Sequence, residues 1–139
     1  MYYVNEEQIA IRLQTIPAVA EALNKLSAEW SGTLIEGLAQ ERALHLAIET
    51  VTDVGSFLID GFILRDASSY EDIIDIIGEA GAFPEHLSET LTELVKLRKP
   101  LVQDYFELDR TQLHPLTGQL GAVLHAFKDA VEQYLKDEL

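Results

Sequence analysis

Apolar residues recur every three or four positions along almost the whole chain, and no stretch alternates in the way a strand requires. The first apolar stripe, within about Asn5 to Leu26, consists of Ile9, Leu13, Ile16, Ala20 and Leu23. This spacing predicts an amphipathic helix, and Asn5 is a suitable N-cap. Because proline disrupts a helix interior, Pro17 should kink this helix or divide it.

A second, longer helix is predicted from about Thr33 to Phe62, after a turn at residues 30–32. Its wide apolar stripe consists of Leu34, Leu38, Leu44, Ile48, Val51, Leu58 and Phe62, broadened by Ala47, Val54 and Phe57. A helix this apolar belongs in the centre of a bundle. It also contains Gly37, Gly55 and Gly61, each costing about 1 kcal/mol relative to alanine. These glycines are tolerable if a neighbouring backbone, of this chain or of a second subunit, comes close.

A short third helix should follow a loop over residues 65–69. Ser69, followed three positions later by Asp72, resembles a capping box for a helix that continues through Ile77. Gly78 and Gly81 then end this helix.

Two further helices complete the predicted fold. Pro84 suits the first turn of a helix that reaches Leu97, and Lys99-Pro100 interrupts the pattern there. The inner face of that helix would consist of Leu87, Leu91 and Leu94. A last helix is predicted from about Thr111 to Lys136. Its inner face would consist of Leu113, Leu116, Leu120, Val123, Phe127, Val131 and Tyr134. The sequence therefore predicts an all-α fold, an antiparallel bundle of four to five helices in one domain spanning residues 1–139.

Composition narrows the class of protein. With 139 residues, 47% of them hydrophobic and no cysteine, the chain fits one globular domain without disulfides or thiolate metal sites. We see no signal peptide. The most apolar stretch, Val54 to Leu64, is interrupted by Asp60 and is too short to span a bilayer. We expect a soluble, cytoplasmic protein with no membrane partner.

The net charge of −14 excludes a broad, salt-driven hold on nucleic acid, and we expect no DNA partner. The few basic residues are unevenly placed, because Lys96, Arg98 and Lys99 fall within four positions. A run of this kind is usually a helix end favoured by the helix dipole.

Metal and cofactor chemistry has little support in the sequence. No histidine follows a carboxylate by three positions, as helical di-metal sites require. Glu41, His45 and Glu49 share one helix face and offer metal-binding groups, although an ordinary hydrogen-bonded pair gives the same spacing. We find no glycine-rich phosphate loop and no serine nucleophile motif, and we predict neither a metal nor a cofactor.

The segment from Leu97 to Tyr105 carries a resemblance to a known family. It is similar to the signature of the HepT-like family in the HEPN superfamily, which is arginine, four residues, histidine, one residue and tyrosine. Arg98 and Tyr105 match that signature. The resemblance covers nearly the whole chain and includes Leu101-Val102, Glu41-Arg42-Ala43-Leu44 with the long helix after it, and the closing helix. Further positions resemble one bacterial branch of the same family, namely Ile59-Asp60-Gly61-Phe62, Arg65-Asp66 and Tyr70.

This resemblance implies a HEPN helical bundle that forms a homodimer, with the two motifs facing each other across a cleft. Relatives are metal-independent ribonucleases in which the ribose 2′-hydroxyl attacks the phosphate, the histidine transfers protons and the arginine stabilises the charged transition state. Many are toxins encoded beside a nucleotidyltransferase antitoxin, which adenylylates the motif tyrosine. Here that modification candidate would be Tyr105.

The sequence departs from the family pattern at two positions. Gln103 stands where the histidine belongs, and Lys99 stands where a small polar residue usually follows the arginine. Glutamine does not titrate near neutral pH, and acid–base help is commonly worth about 10²- to 10⁴-fold in rate. We therefore predict a catalytically impaired ribonuclease site at Arg98, Gln103 and Tyr105, in which Arg98 and Lys99 can still bind RNA phosphate.

Three alternatives remain open from the sequence. In the first, Arg98 simply ends a helix, Pro100 starts the next segment and Tyr105 packs in the bundle. In the second, the protein is an active endoribonuclease in which water or His114 replaces the missing base. In the third, it is a non-catalytic, dimeric protein-interaction module that uses its acidic surface.

Overall fold

The protein is a bundle of α-helices, and the computed structural model describes residues 2–139. The helices are α1 (Glu6–Leu13), α2 (Ile16–Glu29), α3 (Leu34–Gly61), α4 (Tyr70–Glu79), α5 (Ser88–Lys96) and α6 (Thr117–Glu138). No strand occurs in residues 2–139, so the predicted all-α class is confirmed. Within that described range, no helix has the length and apolar character needed to cross a membrane.

The first predicted helix is divided into α1 and α2. Asn5 caps α1 as predicted, because its Oδ1 accepts a hydrogen bond from the Gln8 N–H at 3.2 Å. The break falls at Gln14 and Thr15, and Pro17 lies in the first turn of α2. Proline is tolerated there because a first-turn N–H has no partner within the helix.

Helix α3 occupies the centre of the bundle, where it packs against α1, α2, α4, α5 and α6. A capping box fixes its start. Thr33 Oγ1 accepts from the Glu36 N–H at 3.2 Å, and the Glu36 carboxylate accepts from the Thr33 N–H at 3.0 Å. The hydrogen bonds from Thr33 and Ser31 lower the pKa of Glu36 to about 2.

The predicted burial of the first turns of α3 is wrong. Leu34 and Leu38 are 65% and 45% exposed, and Ile35 between them is 75% exposed. The buried part of the stripe begins farther along, at Ala43 and Leu44. Periodicity shows that residues share a face, but it does not show how far the neighbouring helices extend to cover that face.

The three glycines of α3 lie where neighbouring elements of the same chain approach closely. At Gly37 an added Cβ would collide with the backbone carbonyl of Arg110, and at Gly61 it would lie 2.9 Å from the Cα of Val4. At Gly55 it would meet the side chain of Ile73. A neighbouring backbone of the same chain thus comes close at Gly37 and Gly61, as the sequence requires for these glycines to be tolerable, whereas at Gly55 the neighbour is a side chain.

Helix α6 begins six residues later than predicted, at Thr117. Its buried residues include Leu120, Leu124, Phe127 and Val131, and it packs mainly against α2, whereas Leu113, Val123 and Tyr134 are only half-buried. The buried side chain of Gln40 holds the preceding segment in an irregular path. It accepts from the His114 N–H at 2.9 Å and the Thr117 hydroxyl at 2.7 Å, and donates to the Gln112 carbonyl at 3.0 Å.

Half of the capping box predicted before α4 is formed. Ser69 Oγ accepts from the Asp72 N–H at 3.0 Å, whereas the Asp72 carboxylate binds Arg65 and the Ser68 N–H instead of returning to Ser69. These hydrogen bonds hold the pKa of Asp72 well below its usual range. After Pro84, a single 3₁₀ turn precedes α5 and contains Leu87. Leu87, Leu91 and Leu94 are buried as predicted, although only Leu91 and Leu94 lie in α5.

Candidate functional site

The signature segment has an unusual backbone. Helix α5 ends at Lys96, and residues Lys99–Gln103 form a π-helical turn closed by a hydrogen bond from the Asp104 N–H to the Lys99 carbonyl at 3.1 Å. A 3₁₀ turn, Tyr105–Glu107, follows. Pro100 has no N–H to continue an α-helical ladder, so the wider turn replaces it. Single π turns are frequent at functional sites.

Arg98 points back toward the bundle rather than into solvent. Its Nε lies 3.7 Å from Oε1 of Glu49 on α3, and its guanidinium carbon lies 4.2 Å from the ring centroid of Tyr70 at the start of α4. The Nε atom is buried and has no hydrogen-bond partner in the protein. The guanidinium is therefore fixed in position by three helices while at least one of its donors remains unused.

Glu49 also faces His45, one turn earlier on α3. His45 Nε2 lies 3.3 Å from Glu49 Oε1, the same oxygen that faces Arg98. On its other side, His45 Nδ1 lies 3.4 Å from a guanidinium nitrogen of Arg42. The structure thus forms one polar cluster from Arg42, His45, Glu49, Tyr70 and Arg98, which we call the Arg98 cluster.

Sequence reasoning missed most of the Arg98 cluster. From the sequence, His45 and Glu49 are a hydrogen-bonded pair or metal ligands, and Tyr70 is only a mark of resemblance. The available signal was the four-residue spacing of His45 and Glu49 on a helix that had to lie near Arg98. Only tertiary packing brings the middle of α3, the start of α4 and the end of α5 together, so the spacing could not identify the arginine as the third member.

The remaining signature residues lie at the surface. Lys99 and Gln103 are exposed at the two ends of the π turn. Tyr105 is 56% exposed and stacks edge-on against Phe106, which is 70% exposed, with ring centroids 5.7 Å apart. The alternative in which Tyr105 packs in the bundle is therefore wrong.

A second ion pair holds the exposed end of the segment. Arg110 Nε lies 2.7 Å from Oε2 of Glu41 on α3, and Arg110 Nη2 donates to the Tyr105 backbone carbonyl at 3.2 Å. Because Glu41 is engaged by Arg110, the Glu41, His45 and Glu49 side chains do not form a metal site. Across residues 2–139 we find no group of three or more histidine and carboxylate side chains that could hold a metal ion.

His114 is not part of the Arg98 cluster. Its Nδ1 accepts from the Leu116 N–H at 3.0 Å, and burial lowers the pKa of its ring despite the opposing influence of Glu93. His114 lines a cavity of about 200 Å³ together with Pro100 and Leu101, beneath the signature segment. Its hydrogen bonds join it to Gln40 and Leu116 rather than to Arg98 or Gln103.

Comparisons with known proteins agree with this architecture. A family model described as ribonuclease HepT-like matches residues 13–131. The Bacillus subtilis protein named "Putative RNase YutE" is 35% identical over 139 residues, which is 100% of this chain and 95% of that protein. The solved structure of YutE, described as a cytosolic protein of unknown function, superposes with a TM-score of 0.87 at 32% identity, covering 100% of this chain and 96% of the other.

Proposed function

The chain belongs to the ribonuclease HepT-like family, and from that membership we propose that it binds RNA at the Arg98 cluster and cleaves it weakly. Arg98 holds the scissile phosphate and stabilises its charge in the transition state. Gln103 occupies the position of the usual proton-transfer histidine and supplies hydrogen bonds only. The whole chain acts as one domain in the cytoplasm.

The observation that carries this proposal is the geometry of Arg98. Arg98 has five donors, yet its contacts in the protein are one long contact with Glu49 and a stacking contact with Tyr70, and its side chain is 25% exposed. A fixed guanidinium with free donors suits a phosphate group, because preorganised charge stabilises a transition state without further rearrangement.

Lys99 and a second subunit complete the proposed RNA-binding site. Leu34, Ile35 and Leu38 are exposed in the first turns of α3, and Tyr105 and Phe106 are exposed in the 3₁₀ turn after the π turn. Arg110 connects the two segments, because it packs against Gly37 and donates to the Tyr105 carbonyl. Exposed apolar groups concentrated in this way favour association. In the proposed homodimer the side chains of Leu34, Ile35 and Leu38 are covered and Tyr105 stays accessible, and two Arg98 clusters with their Lys99 side chains line one cleft.

Tyr105 is the proposed site of regulation. The resemblance implies a nucleotidyltransferase antitoxin that adenylylates the motif tyrosine, and the Tyr105 side chain is 56% exposed. A modified tyrosine beside the cleft would add a negative charge where the RNA phosphate binds, and would therefore inhibit cleavage. We therefore propose that this chain is the toxin of a toxin–antitoxin pair.

Cleavage of a fluorescent RNA oligonucleotide with metal chelated tests the proposal. We compare the wild type, Arg98→Ala and Lys128→Ala, a charge-matched control in which the lysine pairs with Glu132 on α6. We expect slow cleavage by the wild type and the control, and a loss of about 10²- to 10³-fold in Arg98→Ala.

Equal rates in all three proteins would overturn the proposal. If neither the wild type nor Gln103→His cleaves or binds RNA, the alternative of a protein-interaction module, which the net charge of −14 favours, takes its place.

A further inference from the structure

A histidine is present in the Arg98 cluster even though the signature histidine is missing. His45 lies on α3 four residues before Glu49, and both His45 Nε2 and Arg98 Nε lie within 4 Å of the same Glu49 oxygen. Its side chain is 32% exposed, so it remains open to solvent and to a bound ligand. The other two histidines outside this region, His86 and His125, are exposed in the 3₁₀ turn before α5 and on α6.

The contacts of His45 define which nitrogen carries the proton. A guanidinium can only donate hydrogen bonds, so the 3.4 Å contact with Arg42 is a hydrogen bond in the tautomer whose Nδ1 is unprotonated. In the neutral ring the proton then lies on Nε2, which faces the Glu49 carboxylate at 3.3 Å. A carboxylate that orients one ring nitrogen while the other acts as a base is the arrangement that makes histidine effective in acid–base catalysis.

We propose that His45, oriented by Glu49, is the proton-transfer residue of this chain in place of the missing signature histidine. The inference rests on the proposed ribonuclease function and names a catalytic residue for it. Arg42 is exposed, and when RNA binds, its guanidinium moves from Nδ1 to the phosphate. The freed nitrogen of His45 then faces the ribose beside the phosphate that Arg98 holds.

The reaction balances with this single histidine. Neutral His45 Nδ1 takes the proton of the ribose 2′-hydroxyl as the bond from O2′ to phosphorus forms. The bond from phosphorus to O5′ breaks, and the protonated histidine returns the proton to that leaving oxygen. The products are a 2′,3′-cyclic phosphate and a 5′-hydroxyl, and the protein is restored without metal or water as a reactant.

Charged and aromatic side chains from three helices lie around His45 and its partner Glu49. On its own helix it faces Arg42 and Glu49, while Arg98 reaches the same carboxylate from the end of α5 and Tyr70 covers Arg98 from α4. Two cations and one carboxylate therefore surround the ring. We expect the pH dependence of the cleavage rate to change when His45 is replaced.

The test measures RNA cleavage by His45→Gln and by the control His125→Gln, each in the wild-type and Gln103→His backgrounds. In the wild-type background, His45→Gln should lower the rate by about 10²-fold or more and flatten the pH profile, while His125→Gln changes neither. In the Gln103→His background, His45→Gln should change the rate less than about threefold, because the restored histidine transfers the proton. A merely structural role for His45 would lower both backgrounds equally and would overturn the inference.

A second substrate separates catalysis from folding. An RNA whose scissile linkage has sulfur in place of O5′ has a leaving group that needs little protonation. His45→Gln should therefore show a smaller defect on this substrate than on ordinary RNA, because only the return of the proton to the leaving group becomes dispensable, and an equal defect on both contradicts the acid step assigned to His45.

Failure of the inference is distinguishable from failure of the proposed function. If Gln103→His cleaves RNA but the wild type is inert, or if His45→Gln leaves the wild-type rate unchanged, His45 is excluded and the cleft remains. If Gln103→His is also inert, the proposed ribonuclease function itself fails.

Discussion

Arg98 and Tyr105 stand at the two ends of one short segment, and the protein holds them by different means. The side chain of Arg98 is fixed by Glu49 and Tyr70. At the other end only the backbone is held, by the hydrogen bond from Arg110 to the Tyr105 carbonyl. Gln103 and the Tyr105 phenol project from the surface. Contacts within the fold thus fix the position of the Arg98 side chain, whereas the side chains of Gln103 and Tyr105 are exposed and can adapt to a bound ligand.

Restoring histidine at position 103 should have the largest effect and sharpens this comparison. Because Gln103 is exposed, Gln103→His should fold like the wild type and raise RNA cleavage by about 10²-fold, the lower end of the acid–base contribution, because His45 already transfers protons in the wild type. Single-turnover cleavage with metal chelated measures the gain, and circular dichroism checks the fold. If the rate stays at the wild-type value, position 103 does not face the scissile bond.

A substitution at Gly37 on α3 should disturb Arg110, which holds the Tyr105 end of the signature segment. In Gly37→Ala the new methyl group collides with the Arg110 carbonyl, and we expect a loss of about 1–3 kcal/mol in the free energy of unfolding. The matched control is Gly118→Ala, where the nearest atom is the Ser27 hydroxyl, which can rotate away. This control should be neutral, or more stable by up to about 1 kcal/mol. Urea denaturation distinguishes the two, and equal stability of both variants would contradict the assigned role of Gly37.

Truncating each end in turn compares the two directly. Arg98→Ala removes an ion pair and a cation–π contact, and we expect it to cost about 1–2 kcal/mol of stability. Tyr105→Ala should change stability by less than about 0.5 kcal/mol, because the side chain is mostly exposed. A larger loss in Tyr105→Ala than in Arg98→Ala, measured by the same denaturation, would reverse the comparison.

The smallest predicted effect concerns His114, beneath the segment. Burial lowers the pKa of His114, so in the pH range between that lowered value and about 6.5 the unfolded chain binds more protons than the folded one. Stability from this residue is complete above about pH 6.5 and is lost as the pH falls through the lowered pKa. His114→Gln should flatten the dependence of unfolding free energy on pH in this range. The exposed His125→Gln should leave it unchanged, and an identical slope in both variants would show that His114 does not cause it.

Much of the fold could be predicted from the sequence, because local signals agree with the packing. The stripe of α3, the cap at Asn5 and the turn at Pro100 each have a local physical cause. The start of α6 could not be predicted, since the buried Gln40 side chain, more than 70 residues away, holds residues 112–117 in an irregular path. The exposure of Leu34 and Leu38 was missed for a related reason, because their spacing fits a buried stripe equally well.

The candidate site divides in the same manner. The spacing identifies the signature residues in the sequence. The structure adds that Gln103 and Tyr105 are accessible to solvent. The Arg98 cluster could not be predicted, because Glu49 and Tyr70 meet Arg98 only after α3, α4 and α5 pack together. Side chains that converge from three helices leave no common pattern in the sequence.

The most direct test of a phosphate site at Arg98 is the affinity for an RNA that cannot be cleaved. We would measure binding of a 2′-O-methyl oligonucleotide to the wild type, Arg98→Ala and Lys128→Ala at several salt concentrations. We predict that Arg98→Ala binds about 10- to 100-fold more weakly and lowers the salt slope by about 1, while Lys128→Ala binds like the wild type. Equal affinity and equal salt slope in all three proteins would contradict the phosphate-binding role of Arg98.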